Sequence, residues 1–291
     1  SAASDVYKRQ IIGGGYIGLE FASMYARFGS KVTILQNGSV FLPKEDRDMA
    51  EAVENVLKSY GVSVITGAGL KEIKEGTAVY TKNGEEDTLD GDAILLATGR
   101  GPNTEGLHAE RAGVELTKRG AVVTDKHLRT TAENIWAAGD VCGNLQFTYI
   151  SLDDSRIILS DMQGDGSRTT ENRGAFAYSV FMEPSFSRAG LSEKEAADKG
   201  LNYRVVRMNT DMIPKAKVLR KTAGMLKAVI DKDSGKILGA ALFCPESYEI
   251  INMVKLAMDH DLDYTVLRDF IYTHPTMSEG CLLYTSPSPR D

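Results

Sequence analysis

The chain has 291 residues, 42% of them hydrophobic, and its 34 Lys/Arg against 40 Asp/Glu give a formal net charge of −6. This length is enough for two domains of roughly 100 to 200 residues each, and the acidic balance offers no basic surface for nucleic acid or an anionic membrane. No apolar run approaches the roughly 20 residues of a membrane span, and three cysteines make no disulfide framework, which favours a reducing, cytoplasmic compartment.

Both ends of the chain look non-native. The segment DVYKRQ (5–10) can be encoded by DNA whose reverse complement, read one base out of frame, encodes CLLYTS (281–286). One inverted element, which resembles a transposase adapter used to prepare sequencing libraries, therefore explains both termini. We expect residues 1–10 and 281–291 to be adapter-derived and not part of the natural fold.

The segment 11–36, IIGGGYIGLEFASMYARFGSKVTILQ, predicts a strand, a glycine turn, a helix and a second strand. Gly13, Gly15 and Gly18 form G-x-G-x-x-G. The first permits a tight turn, the second lets the backbone approach a pyrophosphate, and the third lets the helix pack on the strand. Free amides at the helix N-terminus favour such an anion. By itself the pattern is weak, and a glycine turn with no ligand is the alternative interpretation, but the βαβ context favours a dinucleotide site.

The following segments continue this α/β pattern. Apolar residues at helical spacing predict an amphipathic helix over 45–61, and VSVITG (62–67) predicts a parallel strand. A hairpin-rich excursion with a turn at Asn83-Gly84 follows. GDAILLATGR (91–100) then predicts a buried strand that ends in a tight Ala-Thr-Gly turn. Together these segments predict a doubly wound, Rossmann-like α/β nucleotide domain over residues 11–100.

From Gly101 the character of the sequence changes. Two short strands are predicted within 120–143, and the second, IWAAGD, places Asp140 at its carboxyl end. Open α/β sheets bind ligands at that end of a strand, where a carboxylate can hold a sugar or polyol hydroxyl. An aspartate in an ordinary turn is the better interpretation if this motif stands alone.

A second boundary is predicted at the polar segment 164–174. Beyond it, strand and helix patterns over 174–280 predict an α+β module with an antiparallel sheet and a turn at Asp233-Ser-Gly235. This module carries no cofactor motif, so we expect it to serve packing or assembly.

Four motifs taken together are far more specific than any one of them: GGGYIGLE, LLATGRGPN, T-x-x-x-I-W-A-A-G-D and H-P-T-x-x-E. The combination resembles the class I pyridine nucleotide-disulfide oxidoreductases over essentially all of 11–280. The resemblance implies an FAD domain interrupted by an NAD(P)H domain and followed by a dimerisation domain. It assigns 11–100 to the NAD(P)H domain, 101–168 to the C-terminal part of the FAD domain and 174–280 to the dimerisation domain of a homodimer.

Within that family, four segments resemble the bacterial reactive-chlorine-resistance flavoproteins: FLPKEDRDMA (41–50), LQFTYISLDDSRI (145–157), YSVFMEPSFSRAGLSEKEA (178–196) and IYTHPTMSE (271–279). Such enzymes reduce hypothiocyanous acid, and in some cases copper(II), with NAD(P)H. The polar FTYISLDD is the discriminating segment, because dihydrolipoyl dehydrogenases usually differ there.

The resemblance assigns cofactor contacts residue by residue. It places the three motif glycines on the NAD(P)H pyrophosphate, Tyr16 as a gate over the nicotinamide pocket, and Glu20 as the partner of a lysine near the flavin. Local packing of a helix residue is the alternative interpretation of Tyr16. Asp140 matches the aspartate that binds the FAD ribityl chain. The implied cofactor contacts also include Ile17, Gly99, Gln146, Phe147 and Thr148.

The choice between NADH and NADPH depends on the end of the second predicted strand. Dinucleotide domains that bind NAD usually place an acidic residue there, against the ribose hydroxyls. This chain has Gln36 instead, which departs from the pattern but can still bond a hydroxyl. The following NGSV offers no arginine for a 2′-phosphate, so we expect NADH to be favoured.

His274 and Glu279 are the predicted catalytic pair. The resemblance makes His274 the base that shuttles a proton for a thiol and Glu279 the acid that orients its imidazole. In the family, the thiols belong to a C-x-x-x-x-C pair in the front half of the other subunit, and no such pair occurs in this chain. The chain is therefore expected to be the back part of a larger enzyme. Judged in isolation, His274 is more simply a structural residue.

Two classes of function remain open. The first is an FAD-dependent, NAD(P)H-driven reductase of an oxidised sulfur substrate, with dihydrolipoyl dehydrogenase and mercuric reductase as alternatives within the class. The second is a noncatalytic nucleotide-binding or assembly protein that lost the thiol pair. Cys142 follows Asp140 but has no partner at redox spacing, so we expect no redox role for it. No metal site is predicted.

Overall fold

The computed structural model describes Tyr7–Cys281. Its contacts divide the chain into two compact units. The first unit combines the described parts of Ser1–Thr98 and Ala175–Asp291, and the second unit is Gly99–Gly174. The first unit is therefore discontinuous in sequence, with the second inserted into it.

The first segment of the discontinuous unit forms the predicted α/β fold. In chain order it contains β1 (Lys8–Ile12), α1 (Tyr16–Arg27), β2 (Lys31–Gln36), α2 (Arg47–Ser59), β3 (Ser63–Thr66), β4 (Gly69–Lys74), β5 (Thr77–Lys82), β6 (Glu85–Asp90) and β7 (Ala93–Leu96). The parallel strands have the order β3-β2-β1-β7. Ile11 lies beside Ile34 in this sheet, and both are fully buried, as expected of strands covered on both faces.

β1 begins at Lys8, inside the stretch expected to be adapter-derived, rather than at Ile11. Backbone pairing with β2 needs no particular side chain, so the strand extends to the pair Lys8↔Lys31. Gln10 consequently lies in the core at 1% exposure, with no hydrogen-bond partner for its Oε1. Such a group is unusual in a protein interior. The other predicted adapter residues, apart from Tyr7 and Cys281, lie outside the described residues.

Two further predictions in this segment have different outcomes. The strand predicted as buried within 91–100 is β7, an edge strand of the described sheet, and Leu96 is 60% exposed because only β1 pairs with it. The hairpin-rich excursion is the antiparallel sheet β4-β5-β6. Its turn at Asn83-Gly84 is confirmed: both residues have positive φ, 54° and 85°, as a two-residue type I′ hairpin requires.

The second unit contains less regular structure than predicted. The two strands expected within 120–143 are isolated bridges, Leu116↔Val122, Thr124↔Thr130 and Arg129↔Trp136. Asp140 lies in a short 3-10 turn, Gly139–Cys142, and not at the end of a strand. Glycines in left-handed conformations on both sides of this turn interrupt extended backbone. The helix of this unit, α3 (Thr148–Gln163), is not predicted by the sequence pattern.

The last segment forms the predicted α+β module within the first unit. It contains β8 (Ala177–Val180), β9 (Phe186–Gly190), α4 (Glu193–Asp198), β10 (Tyr203–Asn209), α5 (Pro214–Leu219), β11 (Met225–Asp231), β12 (Ile237–Phe243), α6 (Ser247–Asp259) and α7 (Thr265–Arg268). The strands form one antiparallel sheet of order β10-β11-β12-β9-β8. Leu242 of β12 and Val254 of α6 are fully buried in the core of this module. The turn at Asp233–Gly235 joins β11 to β12 as predicted.

No helix between Tyr7 and Cys281 is both long and apolar enough to cross a membrane.

Candidate functional site

The glycine loop between β1 and α1 has the geometry that its sequence predicts. Gly13 has a φ of +111°, and a Cβ placed on it would lie 2.3 Å from the carbonyl oxygen of Ala97. A Cβ on Gly18 would lie 2.1 Å from the Gly13 carbonyl oxygen, so only glycine allows helix and loop to approach this closely. Gly15 differs, because a Cβ there would meet nothing within 4 Å. The loop therefore has one open face, at Gly15.

The open face adjoins the N-terminus of α1. Gly15 is the N-cap residue, and no side chain caps the first turn. The first amides of a helix have no partner inside the helix, and together with the helix dipole they attract anions. This arrangement fits the pyrophosphate of a dinucleotide. Ile17, in the first turn of α1, is 44% exposed.

Gln36 ends β2 and turns its side chain back to the glycine loop. Its Oε1 accepts a hydrogen bond of 2.8 Å from the backbone N–H of Gly14. A Cβ placed on Gly38 would lie 3.1 Å from the Gln36 Nε2, which locates the amide nitrogen beside the chain that leaves β2. Oε1 of Gln36 is thus engaged in holding the glycine loop. The side chain adds no charge at the position where dinucleotide domains contact the ribose.

Tyr16 leaves the first turn of α1 and contacts the α+β module. Its hydroxyl donates a hydrogen bond of 2.7 Å to Glu45 Oε1 and lies 3.0 Å from the hydroxyl of Tyr178, whose ring stacks on that of Tyr16. Burial, and then the charge of Glu45, raise the pKa of Tyr16 well above its ordinary value. The phenol therefore stays protonated and acts as a donor.

Glu20 lies one turn further along α1. Its Oε1 accepts a hydrogen bond of 2.8 Å from the backbone N–H of Phe181, just beyond β8. Glu20 is half-buried. This bond ties α1 to the strand that carries Tyr178.

The second unit contains an open cavity of about 500 Å³ in front of α3. It is lined by Arg100, Ala138, Gly139, Asp140, Gln146, Phe147, Thr148 and Ser151. The Asp140 carboxylate is 45% exposed and lies 3.1 Å from Nη1 of Arg100. The volume of this cavity is within the usual range for ligand sites, about 300 to 1,000 Å³. The predicted residues Asp140, Gln146, Phe147 and Thr148 are thus brought together. Gly99, in the same unit, has a φ of +114° and open space at its Cβ position.

A buried carboxylate holds the turn that carries Asp140. Asp154 of α3 is 3% exposed and accepts a hydrogen bond of 2.8 Å from the Gly139 N–H through Oδ2. Its Oδ1 accepts one of 2.7 Å from Arg173. Gly139 has a φ of +73°, and a Cβ there would lie 2.7 Å from the Ser151 hydroxyl. This position requires glycine, and the turn is set against α3 by Asp154.

His274 and Glu279 form a hydrogen-bonded pair near the end of the described chain. His274 Nδ1 lies 2.8 Å from Glu279 Oε1, and Glu279 Oε2 accepts a bond of 2.8 Å from the Thr276 N–H. Burial works against ionisation of Glu279, but the bonds from Thr276 and His274 outweigh it and lower its pKa. The imidazole itself is 67% exposed. The pair therefore presents an accessible ring that a fixed, ionised carboxylate orients.

The cysteines show no sign of thiolate chemistry. Burial, with a contribution from the Asp154 charge, raises the pKa of Cys142 to about 11. Burial likewise raises the pKa of Cys244. A reactive thiol needs a lowered pKa and access to solvent, and both thiols are buried. Within Tyr7–Cys281, no cluster of three or more His, Cys, Asp or Glu side chains could hold a metal ion.

Sequence reasoning missed several residues that shape these sites. Glu45 and Tyr178 hold Tyr16, Arg100 pairs with Asp140, and Asp154 holds its turn. Arg100 lies inside a quoted motif, LLATGRGPN, and could have been considered. Tyr178 begins the quoted segment 178–196, but nothing in that segment points to Tyr16, which lies 162 residues away.

A glycine-loop α/β domain, a second unit with a polar cavity and an antiparallel module with a His–Glu pair give the chain the architecture of a multidomain α/β protein. Residues 4–155 match the family model "Pyridine nucleotide-disulphide oxidoreductase", and residues 176–282 match the dimerisation domain of the same family. The chain belongs to the pyridine nucleotide-disulphide oxidoreductase family, which uses FAD and NAD(P)H.

Two relatives and one solved structure illustrate the similarity. The chain is 50% identical over 270 residues to the probable pyridine nucleotide-disulfide oxidoreductase RclA of Escherichia coli, covering 93% of this chain and 61% of that protein. It is 33% identical over 286 residues to a mercuric reductase of Staphylococcus aureus, covering 97% and 52%. The solved Cu(II) complex of the HOCl-induced flavoprotein disulfide reductase RclA from Escherichia coli matches with a TM-score of 0.91 at 47% identity, over 96% of this chain and 64% of that one. The chain thus spans less than two thirds of these relatives.

Proposed function

We propose that the whole protein is an FAD-dependent oxidoreductase that passes a hydride equivalent from NAD(P)H, with NADH favoured, to an oxidised sulfur substrate. Hypothiocyanous acid is the proposed substrate, with a disulfide as the alternative. For hypothiocyanous acid the balance is NADH + HOSCN → NAD⁺ + SCN⁻ + H₂O. The observation that carries the proposal is the combination of an open glycine loop at Gly15 with a His274–Glu279 pair at hydrogen-bond distance.

The nucleotide end of the reaction uses the loop and α1. Close contacts at Gly13 and Gly18 bring the loop against the sheet and the helix, and the open face at Gly15 leaves the helix amides accessible to the pyrophosphate. Gln36 holds the loop through the Gly14 amide, and its neutral side chain stands at the end of β2, where dinucleotide domains contact the ribose. A neutral side chain at that position, with no neighbouring arginine in NGSV, supports a preference for NADH.

The flavin end uses the cavity of the second unit, whose residues fit part of an FAD site. Asp140 is exposed enough to accept hydrogen bonds from ribityl hydroxyls, and Arg100 and Asp154 fix its position. The segment Gln146–Thr148 forms the cavity wall at the start of α3. FAD, when bound, supplies the two-electron transfer between nicotinamide and thiols, while the chain positions it.

The substrate end depends on proton transfer at His274. Glu279 bonds Nδ1, so Nε2 is left to exchange a proton with a thiol. In the proposed enzyme that thiol belongs to a cysteine pair carried outside this chain, on the other subunit of a homodimer. Exposed apolar side chains just before the histidine, Phe270 at 57% and Ile271 at 93%, support an assembly contact there.

The test uses the purified protein encoded by the complete gene. It is assayed with NADH against hypothiocyanous acid, a disulfide and Hg²⁺, and with NAD⁺ against dihydrolipoamide. We expect flavin absorbance and fastest turnover with hypothiocyanous acid, and a loss of about 10²-fold or more in His274→Asn. Faster turnover with Hg²⁺ or dihydrolipoamide would assign the protein to those branches instead. No turnover with any substrate, with NADH still bound, would favour a noncatalytic nucleotide-binding protein.

The 291-residue chain alone provides the matched control. It is expected to bind NADH through its intact loop but to reduce no disulfide, because the thiol pair is absent. If the 291-residue chain bound flavin and reduced a disulfide dye with NADH, the proposal that the thiol pair lies outside this chain would be refuted.

A further inference from the structure

A buried ion pair behind the Asp140 turn joins α3 to the polar segment 164–174. Asp154 of α3 accepts a hydrogen bond of 2.8 Å from the Gly139 N–H through Oδ2 and one of 2.7 Å from Nη2 of Arg173 through Oδ1. The side chains of Asp154 and Arg173 are only 5% and 16% exposed. The two oxygens of one carboxylate therefore connect the turn to the last residues of the second unit.

The charge of Arg173 allows a buried carboxylate to hold this turn. A carboxylate removed from water is costly unless an opposite charge compensates it, and a guanidinium at hydrogen-bond distance does so well. Without Arg173, the Asp154 carboxylate would lose that compensation, and a rotation towards water would release the Gly139 N–H. Nε of Arg173 also lies 3.4 Å from Asp153 Oδ2, so the guanidinium faces two neighbouring carboxylates of α3.

The segment that carries Arg173 is itself held by side-chain bonds. The Thr169 N–H donates to Asn172 Oδ1, and Asn172 Nδ2 donates to the carbonyl oxygen of Ser167, both at 2.8 Å. Thr169 is 8% exposed. An asparagine that bonds nearby backbone groups in this way stabilises a turn. Arg173 is therefore presented to α3 by a folded segment.

The turn held by Asp154 carries the carboxylate that is proposed to bind the flavin ribityl chain. Gly139 and Asp140 both line the cavity of the second unit. Because Gly139 has a φ of +73°, the backbone of this turn determines where the Asp140 side chain begins. Arg100 fixes the Asp140 carboxylate, with Nη1 3.1 Å away. Asp154, with its counter-ion, fixes the backbone on which Asp140 stands.

We infer that Arg173 is a positioning residue for the flavin, because it compensates the charge of Asp154 and so keeps the Gly139–Asp140 turn in the shape that binds the ribityl chain. The inference rests on the proposed flavin-binding function. It gives the polar segment 164–174, which the sequence predicts only as a domain boundary, a part in the flavin site.

The size of the effect follows from the bond that is lost. A hydrogen bond to a charged group shifts an equilibrium by roughly 10- to 100-fold. We therefore expect Arg173→Met to raise the exchange rate of the Gly139 amide by about 10-fold or more. The apparent Kd of a ligand is its intrinsic Kd divided by the fraction of protein in the binding-competent state, so the Kd for FAD should rise by about 3-fold or more.

The experiment measures hydrogen exchange of the Gly139 amide in the 291-residue chain, by mass spectrometry with electron-transfer fragmentation. Arg173→Met is compared in the native background and in Asp154→Asn. The asparagine can still accept the Gly139 N–H but carries no charge, so Arg173→Met should accelerate exchange in the native background only. Arg173→Lys, which keeps the positive charge, should restore most of the protection. If Arg173→Met does not fold, Arg173→Gln takes its place in the same cycle.

Arg168→Met is the matched control. Arg168 lies in the same segment as Arg173 and bonds Asp153, the neighbour of Asp154 on α3. The variant removes an arginine from the same helix without touching the bond to the turn, so Gly139 exchange should be unchanged. Circular dichroism melts establish that each variant is folded.

A second readout uses the complete protein, from which FAD is removed and then titrated back with flavin fluorescence as the signal. The Kd for FAD should rise in Arg173→Met, return towards the native value in Arg173→Lys and stay unchanged in Arg168→Met.

Faster Gly139 exchange in both backgrounds, or in Arg168→Met as well, would indicate a general structural effect and overturn the inference. Unchanged exchange in Arg173→Met would also overturn it, as would faster exchange with an unchanged Kd for FAD. A complete native protein that bound no FAD would refute the proposed function, and Gly139 exchange would still decide whether Arg173 holds the turn.

Discussion

Replacement of Lys227 by methionine is expected to destabilise the first unit strongly, because this lysine is a buried charge among three carboxylates. Lys227 lies on β11 and is 2% exposed. Its Nζ lies 3.0 Å from Asp46, 2.9 Å from Asp48 and 2.7 Å from Glu193. Methionine has a similar length and fills the space without the charge, so the variant isolates the electrostatic contribution.

The magnitude follows from what remains around the carboxylates. Removing one partner of a buried ion pair costs about 3 to 5 kcal/mol, because the other charge is left uncompensated. Here Arg207 still bonds Asp48 and Glu193 at 2.6 Å each, and backbone amides still bond Asp46. We therefore expect the lower end of that range, about 3 kcal/mol of unfolding free energy.

The assay is urea unfolding of the 291-residue chain followed by far-UV circular dichroism. Lys58→Met is the matched control, since Lys58 is 57% exposed and pairs with Glu54 one helical turn away. Lys58→Met should lower the free energy of unfolding by about 0.5 kcal/mol or less. A difference between the two variants of less than about 1 kcal/mol would refute the account of Lys227 as a buried counter-ion.

The pH dependence provides a second check on Lys227. Burial opposes ionisation of Asp48, but bonds from Arg207 and Lys227 outweigh it and lower its pKa. A carboxylate whose pKa is lowered by folding stabilises the folded protein above its unfolded pKa of about 3.9. This stabilisation is lost as pH falls through the lower pKa of the folded protein. The difference in free energy of unfolding between the native chain and Lys227→Met should therefore be largest near neutral pH and become smaller as pH falls below about 4. A difference that grew on acidification would contradict this reasoning.

Four further substitutions test the sites. Gln36→Glu keeps an acceptor for the Gly14 amide but adds a negative charge at the proposed ribose position. Fluorescence titration should therefore show NADPH binding weakened by about 10-fold or more and NADH binding little changed. Equal effects on the two nucleotides would contradict the proposed place of Gln36 beside the ribose. Glu279→Gln, in the complete enzyme, should lower kcat by about 10²-fold with the KM for NADH unchanged, and a KM effect alone would count against the pair. Gly13→Ala should lower the melting temperature, because a Cβ would lie 2.3 Å from a carbonyl oxygen, whereas Gly15→Ala should leave it unchanged and weaken only NADH binding.

Local geometry that depends on short stretches of sequence could be predicted. The glycine loop, the Asn83-Gly84 hairpin and the His274–Glu279 pair each depend on contacts among residues a few positions apart or on a backbone conformation that one residue type allows. The prediction of two strands within 120–143 was wrong. Extended propensity over a few residues does not decide whether a partner strand pairs along its length, and here only single bridges form.

The sequence by itself determined the local geometry and, through the combination of four motifs, the family. Only the tertiary structure decided which distant side chains meet: Tyr178 reaches Tyr16 across 162 positions, and Lys227 reaches Asp48 across 179. Lys227 looks in sequence like an ordinary strand lysine, since nothing local distinguishes a buried charge from a solvated one. Its burial follows from the register of β11 and from the packing of α2 against that sheet, and such contacts depend on which faces meet after the chain has folded.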